Sequence, residues 1–148
     1  MKKESNHSKS TGEFIMELIS TLDFEAFYAK NLGHLHALTL PEYLNELCER
    51  KGVLSHELVN SVDIDRVFGY KIFSGERRPS RDYILKLALG LELTVEETQR
   101  LLAISGNSQL YPRVPRDAAI FYCLYHNLGY RDTQEKLYDW GIKPLGDK

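Results

Sequence analysis

A short stretch of the chain concentrates side chains that could bind a phosphate group or the edge of a nucleic-acid base. Between Asp65 and Arg81 the sequence carries five cationic and two anionic residues, a net charge of +3, whereas the whole chain has a net charge of −2. The five cations are Arg66, Lys71, Arg77, Arg78 and Arg81. Arginine and lysine donate hydrogen bonds to phosphate oxygens and to guanine. Because the chain as a whole is mildly acidic, with a pI of about 6.2, nucleic-acid binding would depend on this local patch.

The residue types that most often carry catalysis or bind metals are scattered through the sequence. The five histidines lie in different segments and form no spaced cluster with cysteine or carboxylate residues (His7, His34, His36, His56 and His126). The sequence has no Gly-rich phosphate loop, nucleophile elbow or HExxH motif. Cys48 and Cys123 lie in apolar periodic stretches, where a cysteine is more often a small buried hydrophobe than a ligand. We therefore expect no enzyme, no metal site and no cofactor.

The periodicity of apolar residues is helical from Thr11 onward, and no segment has the alternation of a strand. Residues 1–10 offer almost no apolar side chain and are predicted to be a disordered tail. Residues 11–40 are predicted to form an N-terminal helical extension of one long or two short helices, ending near Gly33. The pattern then predicts a central helical domain over 41–110 and a further helix pair over 111–148.

Several residues mark where the helices of the central domain begin and end. Ser55 and Asp65 are predicted N-caps, and Thr94 forms a capping-box pattern with a glutamate three positions later. The first helix is predicted to start at Pro41. Three glycines suit the left-handed ends of helices (Gly52, Gly75 and Gly106). The spacing predicts a short helix over 66–74, joined by a tight turn to the helix before it.

A weak internal repeat relates residues 81–110 to residues 116–145 at an offset of 35 positions. The matching pairs are Arg81 and Arg116, Asp82 and Asp117, Leu89 and Leu124, Leu93 and Leu128, Thr98 and Thr133, Gln99 and Gln134, Leu102 and Leu137, Gly106 and Gly141, and Leu110 and Leu145. Repeats of this period are typical of stacked helix pairs. The repeat predicts a second helix pair packed on the first; chance similarity of two amphipathic helix pairs is the alternative.

The segments that flank the central domain are rich in aromatic residues. Residues 12–32 and 116–140 contain ten aromatic residues, and nine of them are candidates for a core or an interface (Phe14, Phe24, Phe27, Tyr28, Phe121, Tyr122, Tyr125, Tyr138 and Trp140). We expect most of them to lie in the core and some to form an interface. These segments are the candidates for dimerisation or for sensing an effector.

Residues 58–75 combine apolar residues, a turn residue and a glycine at a distinctive spacing. The pattern consists of an apolar pair, a turn residue with its apolar neighbour, and a closing apolar residue with a glycine (Leu58 and Val59, Asp63 and Ile64, Ile72 and Gly75). It resembles the phage-repressor (Xre-like) helix-turn-helix family, and the resemblance covers about residues 41–106. It implies an all-α, lambda-repressor-like helix-turn-helix domain. In this chain that domain would carry an N-terminal helical extension and an additional C-terminal helix pair.

The resemblance also implies which residues contact DNA. Such a domain places the first turns of its second helix, here residues 65–74, in the major groove. The implied positions are Arg66, Val67, Tyr70, Lys71, Arg77 and Arg78. Arg66 would bind guanine, Val67 would contact a thymine methyl group, and Lys71 would reach a base or a phosphate. Arg77 and Arg78 would contact the backbone and set the position of the protein on the duplex.

The chain departs from the family pattern at three places. Asp63 stands where the family has a turn glycine, and aspartate adopts left-handed conformations more readily than most residues. Gly69 stands where the family has an apolar core residue, which predicts a close approach of another element or a shifted helix. Ser55 and His56 occupy the position of a glutamine that contacts phosphate in the family.

Two functions are compatible with these residues. The favoured one is a sequence-specific, dimeric transcriptional regulator that binds double-stranded DNA. The alternative is a protein-interaction module on the same fold, an adaptor or an antitoxin-like partner, which the acidic pI and the apolar residues of helix 66–74 favour. No apolar run approaches the roughly 20 residues of a membrane span, and no signal peptide precedes the helices. We therefore expect a cytoplasmic protein without membrane contact.

Overall fold

The structure, a computed structural model, describes residues 10–31 and 38–146, and within these ranges it consists of helices without strands. The prediction of an all-α chain is confirmed. The helices are α1 (Thr11–Ser20), α2 (Phe24–Asn31), α3 (Leu40–Lys51), α4 (Ser55–Ser61), α5 (Arg66–Ser74), α6 (Arg81–Gly90), α7 (Val95–Ile104), α8 (Pro115–Tyr125) and α9 (Tyr130–Asp139). No described helix is long and apolar enough to cross a lipid bilayer. The predicted tail, apart from Ser10, and the helix end at Gly33 lie outside the described residues.

The described residues 10–31 belong to the first of two compact units and form the helix pair α1–α2. Ser10 caps α1 through a capping box with Glu13, in which each residue binds the backbone N–H of the other. Phe27 is the buried centre of the pair and lies edge-on to Phe14, with 6.5 Å between the ring centroids. The extension is therefore two short helices, one of the two arrangements that the sequence allowed.

Residues 38–148 form the second unit, in which α3 to α9 share one hydrophobic core. The core runs from Tyr43 on α3 to Leu145 after α9, and most of α6 is buried within it. Thr39 caps α3 in a capping box with Glu42, and Pro41 lies in the first turn, so this helix begins at Leu40. Because one core joins the central helices to the last helix pair, substitutions in that pair will also affect the stability of the central helices.

Most of the predicted helix caps are present, and one is wrong. Asp65 accepts a hydrogen bond from the Phe68 N–H, and Thr94 forms the predicted capping box. Ser55, however, is the first residue of α4 and not its N-cap. The N-cap is Leu54, because its carbonyl already accepts the first helical hydrogen bond, from the Leu58 N–H at 3.0 Å.

Residues that are 35 positions apart in the sequence repeat form equivalent hydrogen bonds. The Gln99 side chain brackets the backbone of Leu110, with bonds of 2.7 and 3.0 Å, and Gln134 brackets Leu145 with the same two bonds at the same lengths. Left-handed residues recur at equivalent places after the first helix and after the second helix of each pair (Glu92 and Asn127, Gly106 and Gly141). The helix pairs α6–α7 and α8–α9 are thus two copies of one structural unit.

The two copies exchange reciprocal salt bridges. Arg81 donates two hydrogen bonds to Asp117, at 3.0 and 2.9 Å, and Arg116 donates two to Asp82, at 2.9 and 3.0 Å. Each arginine also binds backbone carbonyls in the segment that follows its own helix pair. Reciprocal contacts of this kind are those of a two-fold interface, here between two parts of one chain.

Candidate nucleic-acid interface

Helices α4 and α5 are joined by four residues and pack closely because α5 has a glycine at their contact. A Cβ atom on Gly69 would lie 2.5 Å from Cγ1 and 2.7 Å from Cγ2 of Val59 on α4. Carbon atoms in van der Waals contact lie about 3.5–4.0 Å apart, so no larger residue fits at position 69 in this arrangement. The close approach expected from the unusual glycine is confirmed.

The turn between α4 and α5 is held by the last helix pair. Asp63 adopts the expected left-handed conformation, with φ of 59°. Its carboxylate accepts hydrogen bonds from the Tyr130 hydroxyl at 3.1 Å and from Arg131 at 3.2 and 3.4 Å. Its backbone carbonyl accepts one from Lys86 Nζ at 3.4 Å. Burial, followed by the hydrogen bond to Asp63 and the charge of its carboxylate, raises the pKa of Tyr130, so its hydroxyl stays protonated and donates.

Lys86 is almost fully buried, at 2% exposure, and connects this turn to two aromatic rings. Its ammonium group lies 5.1 Å from the ring centroid of Tyr83 and 5.8 Å from that of Tyr130. Cation–π contacts at such distances stabilise a desolvated cation. Sequence reasoning assigns no role here to Tyr130 or Arg131, since the equivalent positions of the first repeat, Val95 and Glu96, have different side chains.

The first four predicted contact residues lie on α5, whose opposite side is buried through Gly69 and Ile72. Val67 and Tyr70 are exposed, at 61% and 71%, Arg66 is exposed, and Lys71 is half-buried. A cleft of about 220 Å³ separates α5 from the start of α4 and is lined by Ser55, His56, Val59, Arg66, Gly69, Tyr70 and Phe73. The structure therefore brings Arg66 and Tyr70 together with Ser55 and His56.

The last two predicted contact residues, Arg77 and Arg78, follow α5 and are exposed. The Arg77 guanidinium lies 5.7 Å from the ring centroid of Phe68 on α5, and its backbone N–H donates to the Lys71 carbonyl. Both arginines line a cleft of about 280 Å³ that includes Thr39 at the start of α3. They thus lie in a second cleft, whose lining residues differ from those of the cleft that contains Arg66 and Tyr70.

The arginines and lysines of the sequence patch fall into two classes. Within the described residues, Arg66, Lys71, Arg77 and Arg78 form no ion pair. Arg81, which the sequence groups with them, is instead bound to Asp117, with only 25% of its side chain exposed. The patch available to a ligand therefore has four cations against Asp65 and Glu76, a net charge of +2 and not +3.

The expectation that most flanking aromatic residues lie in the core is wrong. Of the nine, Phe27 is buried, and Phe14 and Phe121 are partly buried. The other six have exposures between 45% and 76% (Phe24, Tyr28, Tyr122, Tyr125, Tyr138 and Trp140). The core of residues 38–146 is filled mainly by leucine and other aliphatic side chains together with Tyr43, Tyr83 and Tyr130, whereas Tyr122, Tyr125, Tyr138 and Trp140 of α8, α9 and the residue after α9 are exposed.

The two cysteines are free and buried, as expected. Burial raises the pKa of the Cys48 thiol to about 11, so this side chain is a neutral thiol at physiological pH. A neutral, buried thiol is neither a nucleophile nor a ready metal ligand. Among the described residues, no three histidine, cysteine or carboxylate side chains are grouped so that they could hold a metal ion.

Comparison with known proteins adds no family to these observations. No family model, no curated protein and no solved structure matches the chain.

Proposed function

We propose that this protein is a sequence-specific DNA-binding regulator that acts as a dimer and inserts α5 into the major groove. The observation that carries the proposal is the set of four cations on and after α5 that have no ion-pair partner among the described residues. Elsewhere in the same unit, Arg81, Arg116 and Arg131 are each bound to an aspartate, although Arg113 also has no ion pair among the described residues. Unpaired cations at the protein surface are the electrostatic requirement for binding a phosphate backbone.

The side chains of α5 also suit the reading of base edges. Arg66 lies in the first turn, where the recognition helix of a helix-turn-helix domain contacts bases. Arginine binds guanine through two hydrogen bonds, and the exposed Val67 offers a methyl surface to thymine. Tyr70, Ser55 and His56 in the neighbouring cleft can donate hydrogen bonds to phosphate oxygens.

Contacts along α5 and at the turn before it fix the position of this helix relative to α4, as direct recognition of bases requires. Gly69 sets the distance between the two helices, and the contacts of Asp63 with Tyr130 and Arg131 hold the turn between them. A recognition helix that is held rigidly loses little conformational entropy on binding. In this proposal the helix pair α8–α9 holds the recognition helix α5 in place through the turn before it.

Selection of bound duplexes from a random pool tests the proposal directly. Because a dimer presents two equivalent helices, the selected sequences are expected to contain an inverted repeat with half-sites about one helical turn apart. Arg66→Ala should weaken binding to the selected duplex by roughly 5- to 150-fold, and it should relax the preference at one position of each half-site. Recovery of no enriched sequence, together with no duplex binding at about 50 mM salt, would refute the proposal.

A salt titration separates interactions with the phosphate backbone from interactions with the bases. Arg77→Gln or Arg78→Gln should weaken binding to all duplexes similarly, and each should reduce the slope of log K against log salt by about one, because one phosphate is no longer neutralised. Arg113→Gln is the matched control, because Arg113 is also exposed but lies in the segment before α8. If the control changes the slope as much as Arg77→Gln does, the cations after α5 have no special role.

A second candidate function is a protein-interaction module, and the exposed apolar residues of α5 favour it. Val67 and Tyr70 are both more than half exposed on a helix with few charges. A protein partner would bury these two side chains, and its affinity would depend only weakly on salt. Loss of partner binding in Val67→Ser and Tyr70→Ser, with no change of affinity in Arg77→Gln, would favour this function over DNA binding.

A further inference from the structure

The two copies of the helix pair differ in what covers their first helix. In the first copy, α6 presents Tyr83, Leu87 and Gly90 on one face. At an offset of 35 residues, the corresponding face of α8 consists of Ala118, Tyr122 and Tyr125. A comparison of these equivalent faces therefore shows which surface a helix pair of this type uses for contacts with other helices.

The face of α6 is covered by the helices that precede it. A Cβ atom on Gly90 would lie 2.6 Å from Cγ1 of Val62 and 2.7 Å from Cδ1 of Leu58, at the end of α4. The Tyr83 ring lies edge-on to Phe68 of α5, with 5.3 Å between the centroids. As a result Leu87 is fully buried and Tyr83 is only 3% exposed.

Within residues 38–146, no helix covers the corresponding face of α8. Tyr122 and Tyr125 are 51% and 70% exposed, and with Ala118 they line a groove of about 270 Å³. The other lining residues are Pro112, Phe121 and His126. A cavity of about 150 Å³ already accepts a benzene ring, so the groove has room for an aromatic side chain. Trp140 extends the aromatic surface beyond the groove, with its ring 6.0 Å from that of Tyr122.

We infer that the α8 groove is the surface through which two copies of this protein associate. This inference rests on the proposed function in that it names the contact that makes the regulator a dimer, but self-association does not require DNA. A two-fold interface pairs one patch with the same patch on the other copy, so a charged patch would repel itself. The groove has no Asp, Glu, Lys or Arg among its lining residues, and its rim carries the Tyr125 ring that the other groove could receive.

The size of the surface sets the expected strength of the association. Each half-exposed aromatic side chain contributes roughly 100 Å² of accessible area. The groove and Trp140 together therefore supply about 400–500 Å² per copy, less than the ~800 Å² per partner of a standard interface. We expect a reversible dimer with a dissociation constant in the micromolar range, and not an obligate dimer.

Sedimentation equilibrium of the full chain without DNA, from about 1 to about 300 µM, tests this inference. The wild type should change from monomer to dimer over this range. Tyr122→Ser and Tyr125→Ser in one variant should raise the dissociation constant on the order of thirty-fold, since aromatic anchors dominate small interfaces. Tyr138→Ser is the matched control, because Tyr138 is 76% exposed but does not line the groove.

The possible outcomes separate this inference from the proposed function. A wild type that stays monomeric throughout the range overturns the inference and leaves the groove to a different partner. A dimer that the groove variant does not weaken also overturns it. A monomeric groove variant with an unchanged circular dichroism spectrum supports it, whether or not the protein binds DNA. If the groove variant instead unfolds, Tyr125→Glu, which places like charges across the two-fold axis from the exposed rim, serves as the second test.

Discussion

Replacement of Gly69 by alanine tests whether α4 and α5 pack as closely as the structure indicates. In a helix that is otherwise unconstrained, this change stabilises the protein, because alanine favours a helix by about 1 kcal/mol over glycine. Here the added Cβ would lie 2.5 Å from Cγ1 of Val59, about 1 Å inside normal contact distance. Insertion of an atom into a packed site costs about 1–3 kcal/mol. We therefore expect a net destabilisation of up to about 2 kcal/mol, opposite in sign to the propensity effect.

The second half of the test removes the Val59 methyl groups that the new Cβ atom would meet. Val59→Ala deletes both methyl groups that the new Cβ would meet and should by itself cost about 2 kcal/mol, because Val59 is buried at 3% exposure. In that background the new Cβ still lies 3.1 Å from the Cβ atom of residue 59, so Gly69→Ala should cost clearly less than in the wild type. Urea denaturation of the four proteins, the wild type, both single variants and the double variant, yields the coupling energy between the two positions.

The sign of the change in the free energy of unfolding on Gly69→Ala in the wild type decides whether α4 and α5 pack this closely. If Gly69→Ala stabilises the wild type, or if its effect is the same in both backgrounds, the close packing of α4 on α5 is incorrect. The register of Arg66 and Val67 on the proposed DNA surface would then also be in doubt, because the inter-helix distance positions both residues.

Three further outcomes follow from the geometry. Burial raises the pKa of the Asp82 and Asp117 carboxyl groups, but the hydrogen bonds from their arginine partners outweigh it and hold both pKa values below the usual range. The contribution of these carboxylates to stability is therefore present above about pH 4 and lost as the pH falls through the lowered pKa values. Asp82→Asn should destabilise the protein at pH 7 and reduce the loss of unfolding free energy between pH 7 and pH 3, as measured by urea denaturation at both pH values. Cys48 should react with a thiol reagent at pH 8 only after denaturant is added, because burial keeps its pKa at about 11; fast reaction of the native protein would contradict its burial. Tyr130→Phe removes the hydroxyl that binds Asp63 and should cost about 1 kcal/mol; a thermal melt that does not change would show that this bond contributes nothing to the turn.

Local features of the fold can be predicted from the sequence because their causes are local. Asp65 and Thr94 are recognisable as helix caps, since a side chain that caps a helix binds a backbone N–H three residues away. The left-handed Asp63 is expected from its place in the turn pattern. The prediction for Ser55 is wrong because both Leu54 and Ser55 can precede a helix, and the choice depends on which carbonyl accepts the first bond.

The sequence predicts which residue types form the candidate site, but not which of its cations are neutralised by ion pairs. Arg78 and Arg81 are three positions apart and look alike in sequence, yet one is exposed without an ion pair among the described residues and the other binds Asp117, 36 positions away. The same limit applies to the aromatic residues of α8. Tyr122 and its counterpart Leu87 both fit an apolar helical stripe, and the sequence does not say that helices α4 and α5 cover one of these faces and leave the other open.

The helical character of the chain, the bounds of most helices and the 35-residue offset between two helix pairs are all readable in the amino-acid sequence. These properties depend on hydrogen bonds and periodicity within about 35 residues of chain. The tertiary structure alone decided which arginines pair with aspartates, how Tyr130 and Arg131 hold the turn before α5, and which rings remain exposed. The physical reason is that an ion pair or a covered face requires a second element from a distant part of the chain. Side-chain type does not specify which element that is.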